Sequence, residues 1–163
     1  MTSNHWLRLN RHVRFGDTDA AGVIHFHQLL RWCHEAYEES LERFGIAATA
    51  IFPSPGATPE IGLPIVHCQA DYLAPLVVGD PLEIQLEPRR LDPGCFEVSY
   101  RFQSGGTDPQ GDHNGDPTRT KVVALGLTRH LAIRVANRRR CHLPDPINRW
   151  LEASCLSQGI QPL

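Results

Sequence analysis

Two aspartates separated by a single residue, Asp17 and Asp19, are the side chains of this sequence best suited to do chemistry. They lie in the run RFGDTDAAGVIHF at residues 14–26, directly ahead of a long amphipathic segment. The first turn of a helix carries unpaired N–H groups and the positive end of the helix dipole. A carboxylate near such a turn can attack a carbonyl or activate water while backbone amides hold the developing oxyanion.

The elements on either side of this run have clear periodicities. Residues 7–15 alternate between apolar and polar side chains, which predicts a half-buried strand that includes Phe15 on its apolar side. Residues 27–44 place apolar side chains at helical spacing with glutamates on the opposite side, and Gly45 is a natural helix end. The aspartates are therefore predicted to lie between a strand and the longest helix of the chain.

The rest of the chain reads mainly as strands joined by hairpins. Period-two alternation predicts four more strands, at residues 66–74, 82–87, 96–102 and 121–134. One strand, one long helix and four successive strands predict an α+β fold with a curved antiparallel sheet of about five strands wrapped around the helix. A single helix cannot cover such a sheet completely, so the remaining edge and face favour dimerisation.

Three shorter segments complete the prediction. Residues 52–64 contain four prolines and two glycines and are expected to form a loop. Residues 103–119 are rich in Gly, Asp and Pro, which predicts a mobile hairpin tip. Pro146 to Ala153 is expected to form a short helix in the tail.

Bulk composition sets limits on the class of protein. The 163 residues predict a single domain over 1–163, with its core at about 7–143 and a C-terminal tail at 144–163. The formal net charge of −2 argues against a nucleic-acid partner. No window approaches a membrane span, and the first ten residues lack a signal-peptide pattern. Together with five cysteines that show no close pairing motif, this predicts a cytoplasmic protein with free thiols.

The motif and the element order resemble those of a known family. The run GDTDAAGVIHF at residues 16–26, followed by a helix and four strands, is similar to that of the 4-hydroxybenzoyl-CoA thioesterase family, which has the hotdog fold. The resemblance covers about residues 7–143. CHEAYE at residues 33–38 and LPIVH at residues 63–67 suggest a narrower resemblance, to the 1,4-dihydroxy-2-naphthoyl-CoA hydrolases of phylloquinone-making phototrophs.

The resemblance implies hydrolysis of an aromatic acyl-CoA, with Asp19 as the catalytic residue. Asp19 would attack the thioester carbonyl or act as general base for water, and the sequence leaves both routes open. The resemblance places the oxyanion against a backbone N–H near His25 or Phe26, and Gly22 would allow close approach of the backbone to the substrate. It also implies a homotetramer, a dimer of dimers, with active sites shared between subunits. CoA is part of the substrate, and no cofactor is expected.

Substrate contacts are predicted at three further positions. His25 lies inside the motif and is a candidate for lining the acyl pocket. Arg89 and Arg90 end a strand and are candidates for a clamp on the CoA phosphates, because a guanidinium binds phosphate in a bidentate manner. The alternative for this pair is ordinary surface charge.

Other interpretations remain open. Asp17 is interpreted as structural, bracing the turn, and Glu35 on the helix is the alternative nucleophile. An Asp-x-Asp pair can also bind a divalent cation and nine histidines could suggest zinc, but no ligand set of suitable spacing accompanies them, so no metal site is predicted. A hydrolase for short or medium acyl chains or for a 4-hydroxybenzoyl-type ester, and a non-catalytic acyl-CoA-binding protein, are the competing functions.

Overall fold

The computed structural model describes residues 4–105 and 120–156. Its helices are α1 (Gln28–Phe44), α2 (Ala48–Ile51) and α3 (Asp145–Leu156), and short 3-10 turns cover His5–Leu7 and Phe15–Asp17. The strands are β1 (Arg8–His12), β2 (Ile61–Gly62), β3 (Ile65–Tyr72), β4 (Pro81–Asp92), β5 (Cys95–Gly105), β6 (Thr120–Leu131) and β7 (Ile133–Arg134).

Five of these strands form one antiparallel sheet in the order β1-β4-β5-β6-β3. The short strands β2 and β7 pair separately. The turn between β4 and β5 is closed by Asp92, whose carboxylate accepts a hydrogen bond from the Gly94 N–H at 2.8 Å. The predicted α+β class and the antiparallel sheet are confirmed.

Helix α1 lies against one face of this sheet and provides one side of the core. It begins at Gln28 and ends at Gly45, which has the left-handed φ of 104° that favours glycine. Both ends lie within a residue of the prediction. Strand β5 turns alternate side chains toward the helix, and these are buried: Phe96, Val98, Tyr100 and Phe102. The opposite face of the sheet is largely polar, and it is the face on which Arg89 and Glu97 meet.

One close approach of helix to sheet depends on a glycine in β6. A Cβ atom built on Gly126 would lie 2.5 Å from the Sγ atom of Cys33 on α1. Any larger residue at this position would push the helix and the sheet apart, so Gly126 sets their spacing where they meet.

One burial prediction was wrong, and one predicted strand is unusually exposed. Strand β1 ends at His12, and Phe15 falls in the 3-10 turn with 84% of its surface exposed rather than on the apolar side of the strand. Strand β3, which alternation predicted as a strand, is exposed along nearly its whole length. The cause is its position, because β3 is the last strand of the sheet on the far side of β6.

The tail helix is longer than predicted and joins the core. Helix α3 spans Asp145–Leu156, and its Ile147, Trp150 and Leu151 are buried in the main hydrophobic cluster. The predicted strand at 121–134 is divided into β6 and β7 by Ala132. Most of the predicted hairpin tip, residues 106–119, lies outside the described residues. No helix of the described part is long and apolar enough to cross a membrane.

Candidate active site

Asp19 lies at the tip of a small hairpin between β1 and α1. The hairpin is closed by a bridge between Thr18 and Ile24 and by the Asp19 N–H, which donates to the Val23 carbonyl at 2.8 Å. Gly22 has a φ of 81°, a left-handed value that allows the chain to turn back here. The turn itself therefore favours glycine at position 22, in addition to the predicted role of Gly22 in letting the substrate approach the backbone.

The Asp19 side chain is exposed in the single chain and points to a backbone amide. One carboxylate oxygen accepts the Ala21 N–H at 2.8 Å, and the other has no hydrogen-bond donor among the described residues. This leaves one carboxylate oxygen available for a substrate carbonyl or for water. Since no residue of 4–105 or 120–156 covers Asp19, a dry reaction site requires a further surface against it.

The Asp17 side chain bonds to a different part of the loop from Asp19. Its carboxylate accepts the Arg14 N–H at 2.8 Å and so closes the 3-10 turn, which agrees with the bracing role expected from the sequence. The Asp17 carbonyl accepts the His25 N–H at 2.8 Å. The two aspartates of the motif are therefore unequal, because Asp17 holds the loop together while Asp19 lies at its exposed tip.

The two backbone N–H groups that were predicted to hold an oxyanion differ in whether they are still free to donate a hydrogen bond. The His25 N–H is already donated to Asp17, so this half of the prediction does not fit the structure. The Phe26 N–H has no acceptor within the described residues. Of the two amides, only that of Phe26 has a free donor for the thioester oxygen.

Apolar surface surrounds this amide. The Phe26 ring is 74% exposed, and the neighbouring carbonyl of the same residue accepts the hydroxyl of Tyr72 at the end of β3. Leu73 and Val77, which follow β3, are exposed large side chains as well. The backbone of the same segment is tied to the motif, since the Ile24 N–H donates to the Leu76 carbonyl at 3.0 Å. Exposed apolar surface beside a reactive carboxylate is suited to an aromatic group or to another chain.

Two imidazoles stand next to this surface. The Nδ1 atoms of His25 and His27 lie within hydrogen-bonding distance, with ring centroids 4.1 Å apart. The His25 ring also packs on the Phe26 ring at 4.7 Å. The His25 ring therefore packs between His27 and the exposed Phe26. Among the described residues, no group of three or more His, Cys, Asp or Glu side chains is arranged to hold a metal ion.

A polar cavity of about 370 Å³ lies beside the motif. Its walls come from β1, from the residues that follow β1 and from the first two turns of α1, and its charged lining residues are Arg11, Arg14, Arg31, Asp17 and Glu35. Asp17 therefore reaches this cavity, whereas Asp19 is not part of its lining. Glu35, the alternative nucleophile, accepts a hydrogen bond from Arg31 at 2.9 Å and is committed to that ion pair.

Arg89 and Arg90 lie near the end of β4 and point to different partners. Arg89 donates to the buried carboxylate of Glu97 at 2.5 Å, and Arg129 of β6 donates to the other oxygen of Glu97 at 3.1 Å. Arg90 donates to the side chain of Asn148 on α3 at 2.7 Å. The Arg89 side chain is the more exposed of the two, at 69% against 40%. The structure does not bring either one into contact with the motif hairpin.

Comparison with known families decides the family. The model of the thioesterase-like superfamily matches residues 13–151, from the residue after β1 to the middle of α3. The chain belongs to this superfamily. The match covers the Asp19 hairpin, α1 and four of the five strands of the main sheet, and the hotdog fold expected from the sequence is confirmed.

Sequence relatives within the superfamily match over nearly the full length. A 1,4-dihydroxy-2-naphthoyl-CoA hydrolase of Synechococcus sp. (strain CC9311) is 55% identical, with 99% of each chain covered. The enzyme of the same name from Parasynechococcus marenigrum (strain WH8102) is 54% identical over 97% of this chain and 97% of its own.

Solved structures of the superfamily agree. A candidate thioesterase from Prochlorococcus marinus str. MIT 9313 superposes with a TM-score of 0.82 at 49% identity, covering 94% of this chain and 99% of its own. A 1,4-dihydroxy-2-naphthoyl-CoA thioesterase from Synechocystis has a TM-score of 0.74 at 29% identity, covering 89% and 94%.

One contact of the site could not be anticipated from the sequence. Tyr72 ends a strand of alternating residues, and nothing in its neighbourhood points to the loop 46 residues earlier that its hydroxyl contacts. The only available signal is an aromatic side chain with a polar tip at a strand end, which is common in proteins.

Proposed function

We propose that this protein hydrolyses the thioester of 1,4-dihydroxy-2-naphthoyl-CoA to 1,4-dihydroxy-2-naphthoate and CoA, as a step of phylloquinone or menaquinone biosynthesis. The observation that carries the proposal is the 55% identity over 99% of both chains with a hydrolase of that name. The site is compatible with this substrate, because exposed apolar surface adjoins a carboxylate that has one free oxygen.

In this proposal Asp19 performs the chemistry. Its free oxygen either attacks the thioester carbon, forming an anhydride as the C–S bond breaks, which water then hydrolyses to restore the carboxylate, or removes a proton from a water molecule that attacks the same carbon. The electron pair of the C–S bond leaves with the sulfur as thiolate in both cases. Because a thiolate is a good leaving group, one carboxylate suffices without a strong general acid, and no cofactor is needed beyond the CoA of the substrate.

The Phe26 N–H is the proposed donor to the thioester oxygen. It precedes α1 by two residues, and it lacks an acceptor within the described part of the chain. A backbone donor already fixed in place stabilises an oxyanion without reorganisation during the reaction. We propose that Gly22 lets the substrate approach the hairpin closely, and that His25 lines the acyl group through its contact with the Phe26 ring.

A second copy of the chain is proposed to cover the site. Strand β3 is a free edge of the sheet, and both Ile65 and Val66 are exposed there, which is an unfavourable arrangement for an isolated chain. Pairing of two β3 edges would extend the sheet and bring further surface to Tyr72, next to the Phe26 loop. We propose a homotetramer, built as a dimer of such dimers, with active sites shared between subunits.

Arg89 and Arg90 are proposed to bind phosphates of the CoA moiety. The guanidinium of Arg89 uses one N–H group for Glu97 and is 69% exposed, so it has donors left for an anion. The reaction is proposed to take place in the cytoplasm. Five cysteines without a disulfide are consistent with a reducing compartment.

The test is a panel of thioesters assayed for release of free thiol. Purified protein is supplied with 1,4-dihydroxy-2-naphthoyl-CoA, 4-hydroxybenzoyl-CoA and acetyl-, hexanoyl- and decanoyl-CoA, and kcat/KM is measured for each. We expect the naphthoyl ester to exceed every other by at least tenfold. A preference for an aliphatic or 4-hydroxybenzoyl ester would overturn the substrate assignment, and tight binding of all esters without turnover would overturn the hydrolase itself.

A further inference from the structure

The polar cavity beside the motif contains hydrogen-bonding groups that the protein does not satisfy. Gln28, the first residue of α1, is only 5% exposed, and its amide has no hydrogen-bond partner among the described residues. Trp32, one turn later, is 3% exposed, and its indole N–H also lacks an acceptor there. Both side chains line the cavity. Buried polar groups are nearly always paired with protein or with water, so these two groups are open to solvent or to a bound ligand.

The polar atoms of these two residues are not fully enclosed by protein. In the described part of the chain, only Tyr37 Oη and His130 Nδ1 are fully enclosed side-chain polar atoms without a partner. The amide of Gln28 and the indole N–H of Trp32 therefore keep access to solvent although their side chains are buried. Both residues line the cavity, where a bound ligand can reach these groups.

Several hydrogen-bond donors of the cavity remain unpaired after its ion pairs and hydrogen bonds are taken into account. Glu35 is paired with Arg31 at 2.9 Å, and the carboxylate of Asp17 is bonded to the Arg14 N–H at 2.8 Å. Arg11 is paired with Glu39, which lies outside the lining. The guanidinium of Arg14 has no ion-pair partner in the described residues. The groups still unpaired are thus a guanidinium, an indole N–H, which can only donate, and an amide, which can donate.

From this juxtaposition we infer that the cavity is a phosphate-binding site, with Arg14, Gln28 and Trp32 as its donors. Asp17 keeps its negative charge, but the unpaired guanidinium and indole N–H can only donate and cannot coordinate a cation, so they favour an anion. A tetrahedral phosphate can accept hydrogen bonds from all three groups. A volume of about 370 Å³ also exceeds what a bare phosphate fills, so the organic part of a phosphate ester can be accommodated.

Two sources can supply this phosphate group. One is the CoA moiety of the substrate, an alternative that rests on the proposed function. The other is free inorganic phosphate, which would bind independently of catalysis. Both use the same donors, and different measurements distinguish them.

The first measurement is titration calorimetry of the full chain with inorganic phosphate. Arg14→Gln and Gln28→Leu are compared with Arg149→Gln, which removes an exposed arginine of α3 outside the cavity lining. We expect both cavity variants to weaken phosphate binding at least tenfold, and the α3 variant to bind as the wild type does. Circular dichroism and Tm confirm that each variant is folded, and Arg14→Gln, at an exposed position, remains informative should the Gln28 variant unfold.

The second measurement compares two thioesters of the same acyl group, one with CoA and one with pantetheine, which lacks the nucleotide and its phosphates. A KM that rises at least fivefold in Arg14→Gln for the CoA ester alone assigns the site to a phosphate of CoA. An unchanged KM together with weakened phosphate binding assigns it to free phosphate.

The inference is overturned if wild type and Arg14→Gln bind inorganic phosphate equally or not at all and the KM values of Arg14→Gln match those of wild type for both esters. Failure of the proposed function is a separate result. If neither thioester is hydrolysed by wild type, the hydrolase proposal fails, and calorimetry alone still decides whether the cavity binds phosphate.

Discussion

The hydroxyl of Tyr72 donates a hydrogen bond to the backbone carbonyl of Phe26 and so ties the end of β3 to the loop ahead of α1. The N–H of the same Phe26 is the proposed donor to the thioester oxygen. The edge strand and the proposed oxyanion donor are thus one hydrogen bond apart, and a change at Tyr72 should be felt in catalysis as well as in stability.

Replacement of Tyr72 by phenylalanine tests this connection. Removal of one partly exposed hydroxyl costs about 1 kcal/mol, so we expect kcat/KM to fall about fivefold as the Phe26 loop becomes less well fixed. The Tm should fall by only about 2–4 °C, the shift that about 1 kcal/mol gives in a chain of this size, because the aromatic ring is kept. Steady-state kinetics and thermal denaturation of the two proteins measure both effects, and equal kinetics would show that the hydroxyl does not position the loop.

The elements around the site were predictable because each has a local signal. Helix α1 follows from apolar side chains at helical spacing and ends at Gly45, where a left-handed residue is needed. The motif itself could be identified from its composition and its place before the helix.

The contacts inside the site were not predictable in the same way. The His25 N–H is donated to the carbonyl of Asp17, and Tyr72 contacts Phe26 across 46 residues of sequence. Both acceptors are backbone carbonyls, which every residue has, so no residue type or spacing indicates them. The exposure of β3 was missed for a related reason, since alternation predicts a strand but not whether it lies at the edge of the sheet.

The two aspartates of the motif provide a matched pair of variants. In Asp19→Asn the free carboxylate oxygen is replaced, and we expect kcat on 1,4-dihydroxy-2-naphthoyl-CoA to fall at least a hundredfold with an unchanged Tm. In Asp17→Asn the contact with the Arg14 N–H weakens, so we expect a lower Tm and a smaller loss of kcat. Substantial turnover by the Asp19 variant would remove that residue from the mechanism.

A buried histidine makes stability depend on pH. His130 is 1% exposed, stacks on Phe96 and bonds Thr128 through Nε2 at 2.9 Å, and burial lowers the pKa of its imidazole to about 4 from an ordinary 6.5. The folded protein therefore holds this side chain neutral, while the unfolded chain takes up a proton below about pH 6.5. Stability from this residue is complete above that pH and is lost progressively as the pH falls toward 4.

The expected size of the effect follows from the shift. Between pH 7 and pH 5, His130 should account for a loss of about 2 kcal/mol in the free energy of unfolding. Urea denaturation at the two pH values measures it in wild type and in His130→Gln. The variant should be less stable at pH 7 and should lose about 2 kcal/mol less on acidification. An equal loss in both proteins would assign the acid sensitivity to other groups.

The close approach of Gly126 to α1 predicts a compensating pair of substitutions. In Gly126→Ala the new methyl group meets the Sγ atom of Cys33, so we expect a destabilisation of about 1–3 kcal/mol from overpacking. In the double variant Gly126→Ala/Cys33→Ala the sulfur is removed and most of this loss should be recovered. A double-mutant cycle by urea denaturation measures the coupling, and strictly additive effects would mean that the helix moves away instead.

The exposed edge at β3 predicts how the subunits assemble. A lysine is a residue that natural edge strands use to prevent pairing, so Val66→Lys should block association of two β3 edges. We expect light scattering after gel filtration to show a smaller assembly than for wild type, and kcat/KM to fall at least tenfold because the sites lose their second subunit. Val135→Lys places the same charge at an exposed valine outside the five-stranded sheet and should leave mass and activity unchanged. A Val66→Lys protein with wild-type mass would place the subunit interface elsewhere, and one with a reduced mass but full activity would show that each chain carries a complete site.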